Sequence, residues 1–197
     1  MTPRAPALSP DERRASLIEV TIPLLREHGA ALTTRQVAEA AGIAEGTVFR
    51  AFGSKDELVH ACAASAFDTT DAVRRLRAID RDQPLDARLV QAVTVMQAHV
   101  GRLVDLMTSI RAAGPVPPHD RPTGGPPRGG HGADPEVAAA IEELIGDDAG
   151  SLRLPAGEVV EVLAHLTLSS VHPFFPGRSL TPDRIVSVVL DGTREAR

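Results

Sequence analysis

The chain contains no tryptophan and no tyrosine, one cysteine, one lysine and no apolar run of bilayer length. Each shortage removes a class of explanation. A single cysteine, Cys62, cannot build an internal disulfide framework and agrees with a reducing compartment. A membrane-spanning helix needs roughly 20 consecutive apolar residues, and the sequence offers none. The opening MTPRAPALSPDERRAS lacks the apolar stretch of a secretory signal, so a cytoplasmic protein without membrane partners is expected. With no Tyr or Trp, an aromatic cage for a cation is not expected. Positive charge is also short. The net charge is −5, so no global field draws the chain to nucleic acid. The first 60 residues carry Arg4, Arg13, Arg14, Arg26, Arg35, Arg50 and Lys55 against eight acids. Any affinity for DNA must come from where those charges sit.

Catalytic signatures are missing as well. The sequence has no phosphate-binding glycine loop, no dinucleotide glycine pattern, no nucleophile elbow and no HExxH, so no enzyme and no cofactor is expected. His165 and His172 lie seven residues apart, about 10.5 Å along a helix, too far to share a metal ion. His119 and His131 lack the accompanying ligands of a structural zinc site.

What is present is an apolar fraction of 43% in 197 residues, enough for a core in one domain or in a small module fused to a larger one. The pattern reads as helix after helix, an all-α fold. Ser9-Pro10-Asp11-Glu12 forms a capping box with proline at the first helical position. Ala15, Ile18, Ile22 and Leu25 follow at helical spacing, Pro23 should kink or weaken a turn, and Gly29 can end the helix. Thr33 and Gln36 stand in capping-box positions ahead of Val37, Ala38 and Ala41. Gly42 then interrupts, as a tight turn between helices requires. A short helix over residues 44–52 stops at Gly53. Ser54-Lys55-Asp56-Glu57 reads as a third box, opening a helix that runs to about Ile79.

The run TTRQVAEAAGIAEGTVFRAFGSKDELV, Thr33 to Val59, resembles the signature of the TetR (tetracycline-repressor-like) family. The alanine-glycine turn Ala41-Gly42, Gly46-Thr47, the aromatics Phe49 and Phe52 and the Lys55-x-x-Leu58 pair all fall in that family's register. The resemblance covers the first 60 to 70 residues. It implies a helix-turn-helix whose second helix enters the major groove while the first crosses the backbone. It further implies that the positions of Thr34, Arg35, Glu45, Gly46, Thr47, Phe49, Arg50 and Lys55 face DNA to varying degrees. Arg35 is placed to reach a guanine edge, and Lys55 to meet a phosphate at the start of the next helix. Glu45 reads rather as a first-turn acid favoured by the helix dipole than as a base reader, and Lys55 as a phosphate contact before a solvated cation; Arg13 and Arg14 read as flanking phosphate contacts or as exposed charges on the first helix. Val37, Ile43, Val48, Phe52 and Leu58 are assigned to packing. Ala44 stands where the family often has serine, which removes a cap worth about 1 kcal/mol. Phe49 stands where tyrosine is frequent, which removes a phenolic hydrogen bond.

The expected organisation is a DNA-binding domain over residues 9–60, with its helix-turn-helix at 33–52, and a helical effector-binding and dimerisation domain over 61–197. In the latter, Pro84 and Asp86 open a helix bearing Leu89, Val93, Met96, Val100, Leu103, Met107 and Ile110. The segment 114–132 has almost no large apolar side chain and reads as a mobile loop. A helix follows from Asp134-Pro135-Glu136 to near Gly146. Two last helices, Gly157 to Val171 and one opened by Thr181-Pro182-Asp183, are apolar over most of their circumference, which calls for burial on two sides. A partner subunit is the economical second side, through Val159, Leu163, Leu166, Ile185, Val188 and Val189, and the family likewise dimerises through its last two helices. Met96, His99, Leu103, Met107, Arg111, His165 and Ser169 are candidates for an effector pocket, against the simpler reading of core methionines and of histidines satisfied by a backbone carbonyl. The expected function is a homodimeric, ligand-responsive repressor of a palindromic operator in double-stranded DNA, with an unidentified small-molecule effector. The competing reading is a helical carrier or protein-interaction module that does not bind DNA.

Overall fold

The computed structural model describes residues 9–112, 134–171 and 180–193. Among these the structure is helical throughout and has no β-strand. The order is α1 (Pro10–His28), a 3-10 turn (Gly29–Ala31), α2 (Thr34–Ala40), α3 (Glu45–Phe52), α4 (Lys55–Ala66), α5 (Thr70–Arg77), α6 (Leu85–Ala112), α7 (Pro135–Ile145), a second 3-10 segment (Gly146–Ser151), α8 (Ala156–Val171) and α9 (Pro182–Thr193). The expected loop at 114–132, and His119, His131 and His172, lie outside the described residues.

Two compact units emerge. Within the described residues the first holds 9–67 and 105–112, and the second holds 68–104, 134–171 and 180–193. The expected border between residues 60 and 61 falls inside α4, whereas the units divide after Phe67. The last two turns of α6 count with the first unit, because Leu106 and Ile110 are buried in its core beside Leu17, Leu25, Val37, Val48, Phe52, Leu58 and Cys62.

The helix starts follow from local chemistry. Ser9 Oγ accepts from the Glu12 amide at 3.2 Å, while Glu12 Oε2 accepts from the Ser9 amide at 2.7 Å. That bond from the Ser9 backbone is the main cause holding the Glu12 carboxyl below its usual pKa. Thr33 and Gln36 close the second box in the same way, at 3.2 and 2.8 Å. Pro23 is accommodated, since α1 is continuous around it.

Two expectations fail here. The third box is only half formed: Ser54 Oγ accepts from the Glu57 amide at 3.1 Å, but the Glu57 carboxylate turns to Arg14 instead of returning to the cap. The expected long helix from Ser54 to Ile79 is also two helices. Asp68 Oδ1 accepts from the Thr70 amide at 2.9 Å, a local turn that competes with helix continuation and opens α5 afresh. Hydrogen bonding from the Thr70 side chain, and after it this bond from the Thr70 amide, lowers the Asp68 pKa.

The second unit packs α5 on α7, α7 on α8 and α8 on α9. Its core includes Val73, Leu76, Leu89, Val93, Val137, Ile141, Leu144, Val159, Val160, Leu163, Ile185, Val186, Val189 and Leu190. Asp134 caps α7 by accepting from the amides of Glu136 and Val137, at 3.0 and 3.3 Å. Gly146 ends that helix as the sequence predicts. No described helix is long and apolar enough to cross a membrane.

Candidate nucleic-acid interface

In the first unit, α1 packs on α2, α3 and α4, and α2 packs on α3. The turn between α2 and α3 needs Gly42 at φ +66°, a conformation that side chains with a Cβ rarely adopt. Gly53, at φ +61°, ends α3 in the same way and frees the chain to start α4. These two glycines fix the length and angle of the helix between them.

Helix α3 has eight residues, and two of them anchor it. Val48 and Phe52, four apart on one face, are each 1% exposed. The opposite face looks outward: Glu45, Gly46 and Arg50 are exposed, Thr47 is half-buried, and Phe49 is 46% exposed. An aromatic ring left half in water on a helix this short is held out by the anchoring of its neighbours. Val37 and Leu58 are buried and Ile43 is half-buried, in keeping with their packing assignments.

The candidate DNA-facing side chains have definite partners in the free protein. Thr34 Oγ1 donates to Glu45 Oε1 at 2.6 Å, tying the start of α2 to the start of α3. Because Ala44 provides no side-chain cap, this tie supplies the polar anchor that the α3 N-terminus otherwise lacks. The sequence did not reveal it, since the pair is eleven residues apart and only the turn at Gly42 brings the two together. Arg35 Nε donates to Glu39 Oε1 at 3.0 Å, an exposed pair worth little in stability. Arg50 lies along its own helix, with Nε donating to the Gly46 carbonyl at 3.2 Å and Nη2 to Thr47 Oγ1 at 3.4 Å. Lys55 Nζ donates to the Ala30 carbonyl at 3.0 Å. An ammonium has three protons, so this bond orients Lys55 without exhausting it.

Arg14, which the sequence presents as an exposed charge or a flanking phosphate contact, is built into this unit. Its guanidinium donates to the Ala51 carbonyl, pairs with Glu57 at 3.2 Å and stands 4.2 Å from the centroid of the Phe52 ring. Nearby Cys62 is fully buried, and burial pushes its thiol up to about 12. His60 Nδ1 lies 2.7 Å from the Asp56 carbonyl.

The effector candidates are divided between the two units. Met96, His99 and Leu103 are half-buried on α6 in the second unit. Met107 packs against the core of the first unit, and Arg111, also counted there, is exposed. His165 and Ser169 are exposed on α8, with His165 Nδ1 2.7 Å from the Glu161 carbonyl. Burial is the largest cause holding His99 below its ordinary pKa and Arg102 adds to it, while Asp68, Asp71 and Asp134 oppose it. A cavity of about 660 Å³ does occur in the second unit, but other residues line it, among them Arg81, Pro84, Arg88, Glu143 and Asp148. Arg88, 6% exposed, donates there to the Leu144 carbonyl at 2.7 Å and to Asp148.

The expected dimer residues need a correction too. Val159, Leu163, Ile185 and Val189 are at most 3% exposed and lie within the unit's own core, so they have no surface to offer a partner. Of that set Leu166 is half-buried and Val188 is 50% exposed. Val162 and Leu168 on α8, at 40% and 46%, supply the rest of the exposed apolar surface on these two helices. The sequence shows that α8 and α9 are apolar over most of their circumference, but only the packing decides which side faces out.

Comparison with known proteins fits this geometry. The family model described as bacterial regulatory proteins, tetR family, matches residues 17–62, from the buried face of α1 through α4. Among solved structures, the chain is similar to a protein from Mesorhizobium loti assigned to the TetR-family transcriptional regulators. That match has 14% identity over 96% of this chain and 100% of that one, with a TM-score of 0.59. A TetR-family transcriptional regulator from Streptomyces coelicolor matches at 22% identity over 93% of this chain and 80% of that one, with a TM-score of 0.54. A TetR variant from Acinetobacter baumannii, solved in complex with minocycline, matches at 15% identity over 90% and 94%, with a TM-score of 0.50. At these identities the structural likeness is one of fold.

Proposed function

We propose that the chain, whose residues 17–62 match the model of the tetR family of bacterial regulatory proteins, is a DNA-binding transcription regulator of that family: a repressor that binds a palindromic operator as a homodimer and is released by a small-molecule effector. The observation that carries the DNA half of this reading is the outward face of α3. Phe49 and Arg50 are exposed beside Gly46, on a helix anchored from behind by Val48 and Phe52. A slim first turn lets the backbone approach a groove, and the two side chains beyond it offer an apolar and a cationic contact. Thr34, Arg35, Thr47 and Lys55 flank that face, with Lys55 assigned to a phosphate. Glu45, held by Thr34, is assigned to orienting α3 and not to reading a base.

The dimer is supported by the exposed valine and leucine side chains of α8 and α9, and a two-fold assembly would present two reading helices. Half-sites about 34 Å apart, or a multiple of that, follow from one helical turn of DNA. Effector release is carried over from the family, and the minocycline complex of the Acinetobacter protein is a precedent for a small ligand in this fold. We place the activity in the cytoplasm and assign no catalytic step to it.

Selection of duplexes from a random pool with the full-length protein tests this reading. A recovered site with two-fold symmetry is expected, bound more weakly by Arg35→Ala and Lys55→Ala but equally by Arg77→Ala in the second unit. Losing a phosphate contact should also make the salt dependence shallower, by roughly 0.9 in the logarithmic slope per contact. Failure to recover any duplex would favour the carrier or interaction-module reading.

A further inference from the structure

We propose that Arg14 is a positioning residue: it holds the reading helix at its working angle from inside the protein and does not itself touch DNA. The inference rests on the DNA-binding function proposed above. It starts from a weakness in α3. A helix of eight residues is too short to be stable alone, and its N-terminus has no side-chain cap. Two glycine turns at its ends fix the path of the chain without stiffening it. Something must hold the far end, and Arg14 on α1 meets it at three points.

The first point is the Ala51 carbonyl in the last turn of α3, which accepts from Arg14 Nη1. Carbonyls at a helix C-terminus lack intrahelical donors and carry the negative end of the helix dipole, so a cation bonded there is doubly favoured. The second is the Phe52 ring, over which the guanidinium carbon stands at 4.2 Å, a cation–π distance. The third is Glu57 in the first turn of α4, whose Oε1 accepts from Nη1 at 3.3 Å and Nη2 at 3.2 Å. One planar group thus joins α1, the end of α3 and the start of α4. Lysine could not reproduce this, because its point charge has neither the fork nor the flat face.

Charge bookkeeping separates this role from a phosphate contact. Arg14 is already paired with Glu57, and the half-formed cap at Ser54 shows where that carboxylate has gone. A neutralised cation displaces no counterion when DNA binds, so its removal should leave the salt slope unchanged. A cation on a phosphate would behave otherwise.

The test uses full-length protein and a duplex recovered by the selection described above. Arg14→Ala should weaken binding at least tenfold while the slope of log affinity against log salt stays within error of the wild type. Glu57→Gln should act in the same direction with the same unchanged slope, and the double variant should lose less than the product of the two single losses. If Arg14→Ala does not fold by circular dichroism, Arg14→Lys decides on the same readout, because it keeps stem and charge but loses the fork. A slope that falls by about 0.9 or more would overturn the proposal in favour of a phosphate contact. Unchanged affinity in the folded variants would overturn it as well. Either result with a wild type that binds DNA normally leaves the functional reading intact, whereas a wild type that binds no duplex defeats that reading first.

Discussion

Replacing Gly46 with alanine gives a perturbation whose sign should differ between the free protein and the complex. In the free protein no heavy atom beyond its chain neighbours and the backbone of its own helix lies within 4 Å of the added methyl, so no packed side chain has to move to admit it. Gly46 sits in the first turn of α3 with ordinary helical geometry, so alanine brings no backbone strain either. Glycine in a helix costs roughly 0.5–1 kcal/mol relative to alanine, and a first-turn position lies at the low end. For a chain of this size about 1 kcal/mol corresponds to roughly 2–4 °C in Tm, so a rise of about 1–2 °C is expected. In the proposed complex with a duplex the methyl would stand between the backbone and the groove. Its amide is among the first-turn donors without an intrahelical acceptor, the kind of group that meets a phosphate. Losing a hydrogen bond to a charged acceptor costs about 1.5–3 kcal/mol, a weakening of roughly 10- to 100-fold per reading helix. Scanning calorimetry reads the first quantity and fluorescence anisotropy with a selected duplex reads the second. A higher Tm with undiminished affinity would refute the claim that this turn approaches DNA. A Tm lowered by several degrees would refute the packing on which the whole comparison rests.

Other outcomes are equally definite. Val188→Glu should shift the sedimentation of the protein from dimer to monomer while its second unit stays folded, whereas Ile185→Ala should cost about 2–5 kcal/mol in unfolding free energy; a persistent Val188→Glu dimer would move the interface elsewhere. Cys62, fully buried with its thiol pushed up to about 12, should resist a thiol-specific reagent in the native protein and react fully in denaturant, and stoichiometric native labelling would contradict the burial. His99 has a folded pKa depressed below its ordinary 6.5, so the unfolded chain binds more protons near that pH. Its contribution to stability is therefore full above about pH 6.5 and is lost as the pH falls toward the folded value. His99→Gln should flatten the decline of Tm between pH 7 and 5, and an unchanged decline would show that other groups set it.

Local chemistry fixed much of this protein before any packing was known. The boxes at Ser9–Glu12 and Thr33–Gln36, the turn glycines Gly42 and Gly53 and the cap at Asp134 act within a few residues of chain, and each does in the structure what its spacing predicts. The joint register of small, apolar and cationic positions from Thr33 to Val59 likewise marks the helix-turn-helix, because that motif constrains consecutive residues. Tertiary structure decided the rest, and for one reason: those outcomes depend on partners distant along the chain. The Thr34–Glu45 tie needs the turn between two helices to close. Arg14 meets Ala51 and Glu57 across about forty residues of sequence, and by taking Glu57 it leaves the third capping box half formed. Val159 on α8 and Val188 on α9 are the same residue type on largely apolar helices, yet one lies in the core of the second unit and the other faces outward, since the packed neighbours determine which side of an apolar helix is covered.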